Sequence, residues 1–253
     1  MADPMTPDAA LAHRRYATSL LALFLTVFGA LGWAPLYRAD WLLENVLVFV
    51  LVPWFVLSYR RLPLSKISYT AIFIFLCLHE VGSHYTYAEV PYDAWWQALF
   101  GHSLGSIFGW ERNHFDRAVH FLWGLLLVYP VREAFLRVAN AAGFWGYLFP
   151  VLVIMSSSLL FELIEWFAAM LFGGDLGMAY LGTQGDIWDS QKDSAFATLG
   201  ALVASCVIAI VHSRIDRDFT REWVESLKVK HPEPMGEVSI EHLLELREQD
   251  GED

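Results

Sequence analysis

Four segments of this 253-residue sequence place imidazole and carboxylate side chains within otherwise apolar stretches. The residues suited to metal coordination are His79, His84, His114, His120, Glu162, Asp186, Asp189 and Asp193. Some share one face of a helix, since Asp116 and His120 are four residues apart. Imidazole with carboxylate suits zinc, iron or manganese, and carboxylate alone suits magnesium. We therefore expect these residues to hold a divalent metal ion.

The acidic residues of these segments outnumber the basic ones. The acids are Glu80, Glu111, Asp116, Glu162, Glu165, Asp186, Asp189 and Asp193, and the bases are Arg112, Arg117 and Lys192. Burying a charge in a membrane costs about 2.5–3.5 kcal/mol per residue on insertion scales, so the excess negative charge has to be neutralised. Either a bound cation does so, or some carboxyls stay protonated within an ion network around Arg112 and Arg117.

If the chain is an enzyme, these residues suit metal-assisted hydrolysis or group transfer. The metal would activate water and Glu165 would act as general base. Arg112 and Arg117 would hold a phosphate or carboxylate group of the substrate. Two other classes stay open: a transporter coupled to ions or protons, and a structural membrane protein with a buried ion network. The sequence has no P-loop, and one residue too many separates His79 from His84 for an H-E-x-x-H zinc motif.

The composition is that of an integral membrane protein. Hydrophobic residues make up 56% of the chain and charged residues 18%, below the roughly 25% typical of soluble domains. Two cysteines exclude a disulfide scaffold, and a net charge of -11 argues against a nucleic-acid partner. The partner that this composition does predict is the lipid bilayer.

We predict an all-α, polytopic membrane bundle of about six transmembrane helices. Its apolar stretches are near the roughly 20 residues that cross a bilayer. The six predicted spans are approximately residues 17–36, 41–59, 67–85, 115–138, 144–172 and 190–212.

The distribution of basic residues predicts the orientation. With the N-terminus in the cytoplasm, only Arg38, Arg112, Arg117 and Lys192 of the 17 Lys and Arg residues face outward. Both termini are then cytoplasmic, and the polar segments meet on the extracytoplasmic side. A lipid-linked or other envelope substrate fits that position in a bacterial inner membrane.

The chain divides into three predicted parts. Residues 1–16 form a cytoplasmic N-terminus, 17–212 the membrane domain and 213–253 a soluble, acidic cytoplasmic tail. Segment 91–109 is too polar to span and predicts an outer interfacial helix. In the tail, one short amphipathic helix is predicted from Ile240, Leu243, Leu244 and Leu246. The oligomeric state is not predicted.

Four stretches together resemble a known family. They read HEVGSHYTYAEVPY (79–92), RNHFDRAVHFLWGLLLVYP (112–130), FELIEW (161–166) and YLGTQGDIWDSQKDSAFATLGA (180–201). Over about residues 15–212 the chain is similar to the YjdF-like family of uncharacterised bacterial inner-membrane proteins, and more distantly to VanZ-like membrane proteins. The resemblance implies a multi-pass inner-membrane protein and no particular reaction. The usual VanZ-like pattern has Gln and Asn where this chain has Glu165 and Asp193, so no residue role is carried over.

Overall fold

The computed structural model describes residues 6–172, 182–230, 232 and 234–250, and every regular element within them is helical. The helices are α1 Pro7–Trp33, α2 Arg38–Glu44, α3 Val46–Ser58, α4 Lys66–Tyr85, α5 Tyr92–Phe100, α6 Leu104–Phe108, α7 Phe115–Val138, α8 Trp145–Phe172, α9 Asp189–Ile215, α10 Phe219–Ser226 and α11 Met235–Asp250. A single 3₁₀ turn, Tyr87–Glu89, follows α4. The predicted all-α class is confirmed for this part of the chain.

Four helices are long and apolar enough to cross a membrane, namely α1, α7, α8 and α9. The α2–α3 pair passes the same test as a unit and bends by 41°, which makes up to five spans. Their outward faces carry exposed apolar side chains such as Val50, Trp166 and Leu202. Such a surface is stable against lipid and not against water. The prediction of several membrane spans is confirmed, and α4 falls outside the four or five.

The predicted bounds are close for most helices and differ at two. α1 begins at Pro7, well before residue 17, because Thr6 caps it and accepts a hydrogen bond from the Ala9 amide. The second predicted span is broken at Asn45. The buried Asn45 side chain donates to the Trp41 carbonyl at 2.9 Å, which competes with the helical hydrogen bonds at this point.

The bundle is built around α7, which packs against α4, α8 and α9, while α1 packs on the outer side of α4. The core between α7, α8 and α9 contains Val128, Val151, Ile154, Ala197, Ala201 and Ala204. Two glycines let the α7 and α9 backbones touch. A Cβ at Gly124 would lie 1.9 Å from the Ala197 carbonyl oxygen, and one at Gly200 would lie 2.0 Å from that of Phe121. This close approach sets the distance between the axes of α7 and α9.

Outside the bundle, the structure has more helix than the sequence predicts. Segment 91–109 forms two short helices, α5 and α6, with Leu99 and Phe108 exposed. The tail has two helices where one is predicted. The additional one, α10, docks on the start of α8, where the Trp145 indole N–H donates to the Ser226 carbonyl at 2.7 Å. The aromatic ring of Trp223 also packs on Tyr147.

The glycine contact predicts a selective loss of stability. We expect Gly124→Ala and Gly200→Ala each to lower the free energy of unfolding by about 1–3 kcal/mol or more, because the added methyl group overlaps a backbone carbonyl. The matched control is Gly29→Ala in α1, where a Cβ meets nothing within 4 Å. Thermal unfolding of the detergent-purified variants measures the difference. Equal melting temperatures for the three variants would contradict the packing described for α7 and α9.

Candidate functional site

The polar segments meet at one end of the bundle. They are the C-terminal end of α4, the start of α7, the second half of α8 and the start of α9. Their side chains form three adjoining groups. We call these the arginine network, the His120 cluster and the site cavity.

The arginine network consists of Arg112, Arg117, Lys192, Asp186 and Asp189. Arg112 forms a bidentate salt bridge with Asp189, with Nη1–Oδ1 at 2.6 Å and Nη2–Oδ2 at 3.2 Å. Arg117 donates to Asp186 and, at 3.1 Å, to Asp189. Lys192 Nζ lies 2.6 Å from Asp186. Both aspartates therefore have cationic partners, and Asp189 is buried among them.

The loop before α9 is held to the start of α7 by this network and by a pair of amide contacts. The Asn113 amide donates to Gln184 Oε1 at 2.9 Å, and Gln184 Nε2 donates back to the Asn113 carbonyl at 3.1 Å. Hydrogen bonds from Lys192 and from the Trp188 amide, with a further one from Arg117, hold the pKa of Asp186 well below its usual range. Asp186 thus stays ionised and paired.

The His120 cluster lies deeper and contains Asp116, His120, Glu162 and Asp193. His120 Nε2 is 3.6 Å from Asp116 Oδ1 and 3.4 Å from Glu162 Oε1. His120 Nδ1 faces the Ser158 hydroxyl at 3.3 Å. Ligand atoms of Asp116, His120 and Asp193 all lie within 4.8 Å of one another. His120, Glu162 and Asp193 are buried, with Asp193 only 2% exposed, whereas the Asp116 side chain is 21% exposed.

The separations from His120 to Asp116 and Glu162 are those of ion pairs, and they are also close to those between ligands of one metal ion. Two ligand atoms about 2.1 Å from a tetrahedral metal ion lie about 3.4 Å apart. Among the described residues, Glu162 Oε1 and Asp193 Oδ1 are buried without a hydrogen-bond partner. Arg117 Nε is the nearest cationic atom to Asp193, at 3.9 Å. Asp116, His120 and Asp193 together offer one imidazole and two carboxylates, a donor set that zinc, iron and manganese accept.

The site cavity opens beside the cluster and has a volume of about 320 Å³. One wall is apolar and is formed by side chains of α3 and α8. The polar residues that line the cavity are Glu44, His79, Thr86, Tyr87, Asp116, His120, Ser157, Ser158 and Glu165. His79 Nδ1 lies 2.6 Å from the Tyr87 hydroxyl. Burial, and then the charge of Glu44, raise the pKa of Tyr87 well above its usual range, so it remains a neutral phenol.

The predicted ligands thus fall into separate places. His120, Glu162 and Asp193 share the cluster, His79 lies on the cavity wall, and Asp186 and Asp189 belong to the arginine network.

Two predicted ligands lie outside the His120 cluster, although His114 Nδ1 is 3.4 Å from Arg117 Nη1 of the arginine network. His84 Nδ1 lies 2.8 Å from the Leu31 carbonyl, facing α1. His114 packs on Trp110, and burial together with the charges of Arg117 and Arg112 lowers its pKa.

Three further residues belong to the site, although the sequence does not single them out as metal ligands or catalytic groups. Asp116 carries a sequence signal, its four-residue spacing from His120. Glu44 carries a weaker one, as the single charge in the second apolar stretch. Tyr87 has none, because it reaches the cavity through the turn that follows Thr86, where φ is +55°.

A helical bundle with several membrane spans and a buried polar site near one end defines a multi-pass membrane protein. The chain belongs to the family described as "Predicted membrane protein (DUF2238)", whose model matches residues 16–214. It is 37% identical over 203 residues to "Inner membrane protein YjdF" of Escherichia coli (strain K12), which covers 80% of this chain and 92% of that protein. No solved structure matches. The predicted YjdF-like membership and the inner-membrane location are confirmed.

The arginine network predicts a large effect from one substitution. We expect Arg112→Ala to lower the free energy of unfolding by about 3–5 kcal/mol, because it leaves the buried Asp189 carboxylate without its two-pronged partner. Chemical or thermal unfolding in detergent measures this loss.

A matched control comes from an exposed ion pair. Arg221 and Asp218 lie 3.1 Å apart with side chains 71% and 57% exposed, so Arg221→Ala should change stability by about 0–1 kcal/mol. If the two variants were equally stable, the network would not be holding the start of α9 in place.

Proposed function

We propose that this chain binds a divalent metal ion at the His120 cluster and carries out metal-assisted hydrolysis or transfer on a lipid-linked or other envelope substrate. The observation that carries the proposal is the set of unpartnered ligand atoms around His120, which directly adjoins a cavity with an apolar wall. Zinc, manganese, iron and magnesium are the candidate ions. Asp116, His120, Glu162 and Asp193 are the candidate ligands.

The remaining residues take roles around that ion. A bound metal supplies a water molecule of lowered pKa. Glu165 lines the cavity one helical turn from Glu162, so it is the proposed general base. Arg112 and Arg117 are already paired with Asp186 and Asp189, which favours a positioning role. They would hold the start of α9, and with it Asp193, against α7.

The substrate would enter from the bilayer. The apolar side of the cavity includes Leu47 of α3 and Leu160 and Ile164 of α8, all partly exposed on the outer surface of the bundle. A hydrocarbon chain that lies between these helices would place its polar group next to the acidic and imidazole side chains. A membrane-embedded site with one apolar wall suits an amphiphilic substrate better than a soluble one.

The proposed topology has six spans with both termini in the cytoplasm. α4 is counted as the sixth span because it packs between α1 and α7, and its polar residues turn towards the bundle interior. The excess of Lys and Arg near the chain termini and in the α3–α4 connection supports the orientation. The proposed divisions are the cytoplasmic residues 1–16, the membrane domain 17–212 with its interfacial segment, and the cytoplasmic tail 213–253.

Metal removal tests the proposal. We expect purified wild-type protein to contain a divalent metal by elemental analysis and to lose thermal stability when a chelator is added. The loss should be near 2.7 kcal/mol if the ion is normally present at about 100 times its dissociation constant. His120→Gln and Asp193→Asn should lack the metal and should not respond to the chelator, since ligand and folded state are linked.

The control variants are His114→Gln and His84→Gln, whose imidazoles lie outside the cluster. They should keep both the metal and the response to chelator. A wild-type protein without metal, whose melting curve neither chelator nor added metal shifts, would sink the metal proposal. The ion-network alternative would then explain the acidic residues.

Labelling of single cysteines tests the topology. After Cys77 and Cys206 are replaced by Ala, Ile187→Cys and Val229→Cys introduce thiols at positions that are 84% and 79% exposed. In intact spheroplasts a membrane-impermeant maleimide should label the first and not the second, and after lysis it should label both. The reverse pattern would place the site on the cytoplasmic side and exclude an outer-leaflet substrate.

A further inference from the structure

A second cavity lies between α1, α3 and α4, towards the opposite end of α4 from the His120 cluster. Its volume is about 390 Å³, within the range of about 300–1,000 Å³ usual for small-molecule sites. Most of its lining is apolar, with Leu21, Phe55 and Phe73 contributed by the three helices in turn. At its rim stand Arg14 of α1 and Arg60, just after α3. The cavity is therefore amphiphilic, with an apolar interior and a cationic edge.

The rim is held in place by buried hydrogen bonds. The His13 side chain is buried, with Nε2 2.9 Å from the Leu64 carbonyl and Nδ1 3.0 Å from the Tyr59 hydroxyl. One turn further along α1, the Tyr16 hydroxyl lies 2.6 Å from Thr70 Oγ1. These contacts join α1 to the α3–α4 connection, so the two arginines stand on fixed backbone. A ligand there would meet a preorganised edge.

Five basic residues near this cavity have no acidic partner among the described residues, whereas Arg137 at the same end is paired with Glu133 at 3.0 Å. The five are Arg14, Arg15, Arg60, Arg61 and Lys66, and no carboxylate oxygen lies within 4 Å of any of their charged nitrogens. The three cations of the arginine network are all paired. Free cations at the edge of an apolar cavity attract an anion that carries a hydrocarbon chain.

We propose that this cavity binds one anionic phospholipid, with an acyl chain between α1, α3 and α4 and the phosphate on Arg14 and Arg60. The phosphate would accept charge-assisted hydrogen bonds from both guanidinium groups. The chain would cover apolar side chains such as Leu21 and Phe24 that line the cavity. This lipid would join the N-terminal helix to the rest of the bundle, independently of any reaction at the His120 cluster.

The test is lipid binding to the full-length protein in detergent. Native mass spectrometry and thermal unfolding are compared with dioleoyl phosphatidylglycerol, dioleoyl phosphatidylcholine and glycerol 1-phosphate. We expect phosphatidylglycerol to bind and to raise the melting temperature, and the other two to do neither. The first comparison isolates the headgroup charge, and the second isolates the acyl chains.

Matched variants locate the site. Arg14→Gln/Arg60→Gln should weaken phosphatidylglycerol binding by about 30-fold, at the usual contribution of a basic residue near anionic lipid. Arg15→Gln/Arg61→Gln removes the same charge from adjacent residues that do not line the cavity, and it should bind within about threefold of wild type. Ala17→Phe keeps every arginine and fills the cavity, so it should also lose binding.

Three results would overturn the proposal. Equal weakening by the two double variants would indicate diffuse attraction to a basic surface. If phosphatidylcholine bound as tightly as phosphatidylglycerol, the arginines would not be selecting an anionic headgroup. If glycerol 1-phosphate raised the melting temperature as much, the apolar cavity would not be contributing to binding. If the Arg14→Gln/Arg60→Gln protein does not fold, Ala17→Phe decides alone, and wild-type affinity in that variant would exclude the site.

Discussion

The pairing of buried Asp189 with Arg112 and Arg117 is the interaction on which the rest of the site depends. A carboxylate at this depth is stable only with cationic partners. Arg112, in the segment that leads into α7, makes a bidentate contact at 2.6 and 3.2 Å, and Arg117, in the first turn of α7, lies 3.1 Å away. Because Asp189 is the first residue of α9, this pair fixes where α9 begins relative to α7. Asp193, one turn later, is thereby brought to His120.

Backbone packing supplies the second constraint on the same helix pair. Gly124 and Gly200 allow α7 and α9 to approach until a side chain on either would overlap a carbonyl of the other. The ion pairs set the level at which α9 starts, and the glycine contact sets the distance between the two axes. A metal site needs both, since ligand atoms have to be held to within a few tenths of an ångström. Among the acids beside His120, only Asp193 comes near an arginine, with its Oδ1 3.9 Å from Arg117 Nε.

The two ends of the bundle differ in which charged residues lack a partner of opposite charge. At the His120 end, Arg112, Arg117 and Lys192 are paired with aspartates, and the buried Glu162 and Asp193 oxygens that lack hydrogen-bond partners lie beside the site cavity. At the other end, Arg14 and Arg60 border a cavity without an acidic partner among the described residues. The first arrangement favours a cation, and the second favours an anion with an apolar chain. Both cavities have apolar walls, as expected where ligands come from the bilayer.

The sequence by itself determined the membrane class, the family and most helix bounds. Those of α7 and α8 follow from long apolar runs, which any bilayer-spanning helix must have. It also indicated that the polar segments meet. Successive membrane spans run in opposite directions, so the end of one span and the start of the next lie on the same side of the membrane.

Tertiary structure alone decided which acids pair with arginine and which surround His120. It also decided that His84 and His114 lie apart from the cluster and that Tyr87 reaches the cavity. The physical reason is that the sequence pattern of a helix shows on which face a residue lies. Ion pairing depends in addition on how each helix is rotated about its axis and how far it is shifted along its neighbour. Both are set by long-range contacts such as the one between Gly124 and Ala197.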